Sequence, residues 1–261
     1  MIHVGTSGFS YRDWIGPFYP EGTADRAMLE YYSTQFDLVE LDYTYYTMPA
    51  QRSIESMCRR TPENFVFCVK AHKSMTHEIP EDPAEMQGVF ARFMQALEPM
   101  IRTGKLGCVL VQFPWIFKPS QPNADYVRGL RRLLPDVEII VEFRNVQWVQ
   151  EAAFRMLRAA KLGFCCVDEP RLRGLFPPLA LATSQVGYVR FHGRNASKWW
   201  KHEQTWERYD YLYSEDELRS WEPKVKQIAE STEHTFVLFN NCHAGQAAIN
   251  AATFEEILGL R

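Results

Sequence analysis

The sequence contains no uninterrupted apolar run of the length a bilayer-spanning helix needs, about 18 residues or more. No membrane partner is therefore expected. Its first residues, MIHVGTSGFS, lack the basic and apolar regions of a secretory signal, so a cytoplasmic protein is expected. There is no CxxC among the 6 cysteines. Cys68, Cys108, Cys165 and Cys166 fall inside apolar runs, which suits packed, reduced thiols. Adjacent Cys165 and Cys166 on a strand would point to opposite faces. No GxGxxG follows the first apolar run, which removes support for a dinucleotide fold. No GxSxG or ordered Ser-His-Asp set is present, against acyl transfer. HExxH and HxH are also missing. Neither sign of charge predominates, with 29 Lys and Arg against 32 Asp and Glu. The net charge is −3, which gives no general attraction to nucleic acid, so any anion site must come from local clustering. No linker or low-complexity tract divides the chain, so residues 1–261 are expected to form a single domain.

What is present is a repeat of short β-branched and aromatic runs: IHVGTS, LVELDY, FVFCVKAH, GCVLVQF, EIIVEFR, GFCCVDE, GYVRFHG and TFVLFNN. Most are nearly continuous hydrophobics, the pattern of strands buried on both faces of a parallel sheet. Helical spacing separates them over 25–36, from Pro49 onward, and over 83–102, 123–134, 149–162, 214–231 and 244–258. Ser214 with Glu217 predicts a capped start. This alternation predicts an α/β fold, a (β/α)8 TIM-like barrel. Between the sixth and seventh strands, PRLRGLFPPLALATSQ reads as an irregular connection, because Pro177–Pro178 oppose a helix.

Each run begins apolar and ends polar. Glu40 and Asp42, Lys70 and His72, Gln112, Glu142 and Arg144, Asp168 and Glu169, Arg190, His192 and Arg194, and Asn240–Asn241 all fall at strand ends. In a barrel these ends converge on one face, where such folds place their chemistry. Arg190 and His192 share a side parity and are expected to point at the same centre as Glu142 and Lys70. Two outcomes are open: a ligand site, or an ion-pair layer plugging the barrel mouth, since buried charges must compensate one another or a ligand. Two aromatic loops, one carrying Trp14 and one carrying Trp199 and Trp200, should stand over this face. They either seal it or stack on a sugar or base.

The stretches GTSGFSYRDWIGPFYP, VELDYTYYTMP, FVFCVKAHKSMTH, VLVQFP, VEFRNVQW, YVRFHGR, RYDYLYS and FNNCHAGQAAINA resemble, in order and over nearly the whole chain, the DUF72 (YecE-like) family. Phe9 stands where that family usually has Trp, and Asp42 where it often has Asn. The resemblance implies a TIM-type barrel and no assigned activity. Its barrel is similar to that of endonuclease IV-like metal enzymes.

Three functions follow as expectations. The first is binding of, or action on, a phosphate- or sugar-bearing small molecule, by a hydrolase or lyase if the protein is an enzyme. Lys70, Arg144, Arg190, Arg194, Asn240 and Asn241 would hold the ligand, with Trp14, Trp199 and Trp200 stacking. Glu40, Glu142 and His192 would be the acid–base groups. Asn240–Asn241 and Gly245 would add N–H donors at the start of the last helix. No cofactor is expected. The second is a nucleic-acid-binding or metal-dependent phosphodiesterase acting on single strands, with a divalent metal on Glu40, Glu142, Asp168 and His192. The third is a non-catalytic anion-binding protein.

Overall fold

The computed structural model describes residues 1–261. Eight parallel strands close into a barrel in chain order. They are β1 (Ile2–Ser7), β2 (Leu38–Leu41), β3 (Val66–Lys70), β4 (Leu106–Gln112), β5 (Ile139–Glu142), β6 (Gly163–Asp168), β7 (Val186–Phe191) and β8 (His234–Phe239). β1 pairs with β2 on one side and β8 on the other, so no edge is left. The helices outside are α1 (Met28–Gln35), α2 (Gln51–Arg59), α3 (Pro83–Arg102), α4 (Gln121–Leu133), α5 (Glu151–Ala159), α6 (Glu215–Arg219), α7 (Glu222–Ala229) and α8 (Gln246–Leu258). No helix joins β6 to β7, as the proline pair requires. One continuous apolar core of 65 buried residues fills the barrel and the layer beneath the helices.

Local chemistry sets the helix ends. The Asp82 carboxylate accepts from the N–H groups of Ala84 and Glu85, and Pro83 occupies the first turn of α3, where its missing N–H costs nothing. Ser214 and Glu217 form the expected reciprocal cap of α6. The single helix expected over 214–231 is two. Pro223 has no N–H to give the carbonyl of Arg219, so α6 ends there and α7 begins at Glu222. All 6 cysteines are free thiols. Cys165 faces Glu142 inside the barrel, whereas Cys166 meets the carbonyl of Leu181 on the other side, as strand alternation demands. No helix is long and apolar enough to cross a membrane.

Candidate functional site

At the C-terminal end of the barrel the strand-end charges form two tiers. The lower tier centres on Arg190, fully buried in β7. Its Nη2 donates to Glu40 Oε1 at 2.6 Å, and its Nη1 donates to Glu142 Oε2 at 2.8 Å. Tyr188 Oη donates to the other Glu40 oxygen at 2.7 Å. His192 Nε2 lies 3.1 Å from Glu142 Oε1, and Asn240 Nδ2 lies 3.0 Å from His192 Nδ1. Because Glu142 is ionised it only accepts, so Nε2 carries the imidazole proton and Nδ1 accepts from the amide. Burial pushes His192 down to about 3, reinforced by Arg144 and opposed by Glu142. The ring is neutral with both nitrogens occupied. Burial would raise Glu142, but Arg144, Arg190 and His192 overcome it and hold this carboxyl well below the usual range. Burial raises Glu40 against the pull of Arg190.

The upper tier faces a cavity of about 300 Å³. Lys70, Arg144 and Glu169 line it from below, and Tyr46, Trp115 and Trp200 from the rim. Lys70 Nζ sits 3.6 Å from Asp42 Oδ1 and 4.9 Å from the centre of the Tyr45 ring. Arg144 joins the tiers: its Nε is 2.6 Å from Glu142 and its Nη1 is 3.5 Å from Glu169 Oε2. Glu169 Oε1 accepts from the Phe176 N–H at 2.8 Å, while Oε2 is buried without a hydrogen bond. Burial, against the pull of Arg144, raises the Glu169 carboxyl to about 7. His77 also lines the cavity, and burial with Lys70 and Arg144 nearby lowers it to about 4. The chemistry on offer is three cations, Lys70, Arg144 and Arg208, one carboxyl raised toward neutrality and a neutral imidazole beneath an aromatic rim.

Residues 3–261 match the family described as "Protein of unknown function DUF72". The chain belongs to the DUF72 family. It is 35% identical to the UPF0759 protein YunF of Bacillus subtilis (strain 168), over 100% of this chain and 95% of that one. Among solved structures, a DUF72 family protein from Thermotoga maritima MSB8 is 43% identical with a TM-score of 0.91, covering 99% of both chains. A DUF72 family protein from Enterococcus faecalis V583 is 27% identical with a TM-score of 0.88, covering 100% of this chain and 96% of that one.

In this DUF72 barrel the residues expected at one centre separate. Lys70 and Arg144 reach the cavity. Glu40, Glu142, His192 and Arg190 do not: they are fully buried and, apart from Arg190 Nε, spend their polar atoms on one another and on Tyr188 and Asn240, the ion-pair layer that was the alternative. Asn240 supports this layer through His192. Arg194 leaves the alternating series because Gly193 adopts φ +83°, which turns the chain at the end of β7. Its guanidinium forks onto Asp168 with two 2.7 Å bonds, outside the barrel, where Tyr213 and Trp221 also donate to that carboxylate. Asn241 is buried against Tyr211 and Asn250.

Trp14 has no free face. It is buried in an aromatic cluster with Tyr11, Phe18 and Tyr19, and its Nε1 donates to the Cys242 carbonyl. Trp199 and Trp200 both line the cavity; Trp199 is buried beneath Arg208, whereas Trp200 is 50% exposed and edge-on to Trp115. Of the N–H donors expected before α8, that of Asn240 goes to the Phe191 carbonyl at 2.8 Å; Pro17 packs closely against Gly245, and the neighbouring Ala244 N–H donates to Asp13 at 2.7 Å. No three His, Cys, Asp or Glu side chains come together to hold a metal ion. The carboxylates of the phosphodiesterase expectation hold arginines instead, and His192 is held between Glu142 and Asn240.

The sequence reading put Glu169 at a strand end without making it a site residue, and passed over Trp115. A signal for Glu169 was available. It lies four residues after inward-facing Cys165, on the same side by strand alternation, whereas Asp168 follows outward-facing Cys166. Nothing local marked Trp115, whose place depends on the Gly174 carbonyl that accepts from its Nε1.

Proposed function

We propose that the mouth cavity binds, and acts on, a small molecule carrying a phosphate or other anionic group on a sugar-like body. The observation that carries this reading is the meeting of Lys70, Arg144 and Glu169 on one cavity with exposed tryptophans at its rim. Lys70 and Arg144 retain 14% and 12% side-chain exposure, enough to meet a ligand and little enough that water does not screen them fully. The cavity lies at the small end of ligand sites, which begin at about 300 Å³. That size admits a sugar phosphate or a mononucleotide body. Trp200 and Trp115 offer ring faces to an apolar or sugar surface. Arg190 and Arg194 take no part, since their guanidiniums are committed to carboxylates.

A thermal-shift panel tests this: inorganic phosphate, sugar phosphates, nucleotides, neutral sugars, divalent metals and short oligonucleotides. A ligand at about a hundred times its Kd stabilises by about 2.7 kcal/mol. The expected result is a shift with phosphate-bearing compounds that Lys70→Met removes. A shift with metal alone, or with oligonucleotides alone, overturns it.

A further inference from the structure

We propose that Glu169 is the proton-transfer residue of the mouth site, and that it acts on a C–H beside a carbonyl in an open-chain, anion-bearing hydroxycarbonyl compound. This rests on the cavity being the ligand site. The geometry is that of a positioned base. One oxygen is anchored by the Phe176 N–H; the other is buried, accepts no hydrogen bond and has the Arg144 guanidinium 3.5 Å away, on a residue of the cavity wall. An ordinary structural carboxylate has its lone pairs occupied, as Glu40 and Glu142 do one tier below.

The surroundings narrow the chemistry. Glu169 is the one acidic residue lining the cavity, so the two-carboxylate arrangement of glycoside hydrolysis is not available there. No serine or cysteine lines it to act as nucleophile, and its one threonine, Thr205, is exposed rather than held against a base. What accompanies the carboxylate is positive charge and a neutral imidazole: Lys70, Arg144, Arg208 and His77. A base beside such donors suits enolisation, in which negative charge develops on a carbonyl oxygen. A carboxyl raised to about 7 is matched to proton transfer near neutrality.

The step balances without a co-reactant. The Glu169 carboxylate takes the proton, and the C–H electron pair becomes a carbon–carbon double bond. The carbonyl pair moves to oxygen, where Lys70 or His77 stabilises it. Returning the proton to the same carbon exchanges it. Delivering it to the neighbouring carbon, with transfer of the hydroxyl proton to the enolate oxygen, interconverts aldehyde and ketone.

The test pairs binding with isotope exchange. Ribose 5-phosphate, glucose 6-phosphate and the corresponding neutral sugars are incubated with the protein in D2O. Thermal shift reports binding, and proton NMR reports loss of the C–H signal beside the carbonyl. The expected result is exchange in a compound that also shifts the Tm, slowed about 100-fold or more in Glu169→Gln, which keeps the shift. Glu169→Asp, which keeps the carboxyl, should retain measurable exchange. A compound that binds the wild type without exchange, or exchange untouched by Glu169→Gln, overturns the inference and leaves the binding site standing. If none of the compounds shifts the Tm, the reading of the cavity fails and takes this inference with it.

Discussion

The two tiers of charge at the barrel mouth are built from the same residue types, glutamate with arginine, within one or two residues along the strands. In the lower tier Arg190 bridges Glu40 and Glu142, and Tyr188 and His192 complete their bonding. In the upper tier Glu169 keeps a free buried oxygen, and Lys70 stands 3.6 Å from its nearest carboxylate. The difference lies in partner count. A buried carboxylate with both oxygens hydrogen-bonded, as in Glu40 and Glu142, fixes the barrel even though Arg190 Nε finds no partner; one with an oxygen left without a hydrogen bond has chemistry left to perform. Identity and burial alone would have assigned the function to the lower tier.

The largest effect should come from breaking the lower tier. Arg190→Ala strands two carboxylates in the barrel, and loss of one partner from a buried pair costs about 3–5 kcal/mol. Chemical denaturation should show that loss or outright failure to fold. A near-neutral result would mean the layer is not what closes the barrel.

Glu169 gives the next effect, through pH. Its folded pKa of about 7 lies above its ordinary 4.5, so the native state holds a proton that the unfolded chain has released. The associated stability is complete below 4.5 and is lost as pH rises through about 7. Glu169→Gln stays neutral, so its stability relative to wild type should grow by roughly 3 kcal/mol between about pH 5 and pH 8. Urea midpoints across that range measure it. His192 in the lower tier works in the opposite direction. Its folded pKa of about 3 lies below its ordinary 6.5, so its contribution is present above 6.5 and lost as pH falls toward 3.

Lys70→Met sharpens the comparison in the upper tier. Asp42 keeps Arg190 at 3.6 Å after the change, so stability should fall by about 1 kcal/mol or less. Affinity for inorganic phosphate, measured by calorimetry, should fall about tenfold or more, which is 1.4 kcal/mol. The smallest stability change belongs to Trp200→Ala at the half-exposed rim, within about 0.5 kcal/mol. Binding of sugar phosphates should still weaken several-fold if the ring stacks on the ligand, by about 1 kcal/mol.

The fold was largely legible. The eight apolar runs all became strands; polar ends such as Asp42 and Arg144 fall outside them, and β4, β7 and β8 begin one residue before the runs. The proline-marked connection carries no helix. The 214–231 helix was misread because hydrophobic spacing continues across the break that Pro223 makes in the hydrogen bonding. The site was legible as a place more than as a list. Lys70 and Arg144 were found, and Glu169 was passed over for Glu40, Glu142 and His192.

Sequence by itself determined the barrel, the face on which charge collects, and the irregular passage from β6 to β7. These follow from local patterns: apolar continuity, helical spacing and proline. Only the tertiary structure decided which charges are spent and which are free. Arg190 meets Glu40 at a separation of 150 residues and Glu142 at 48, and the turn at Gly193 sends Arg194 to Asp168. Hydrogen bonds are directional and short, so saturation is set by how the closed barrel places strands that are remote in sequence.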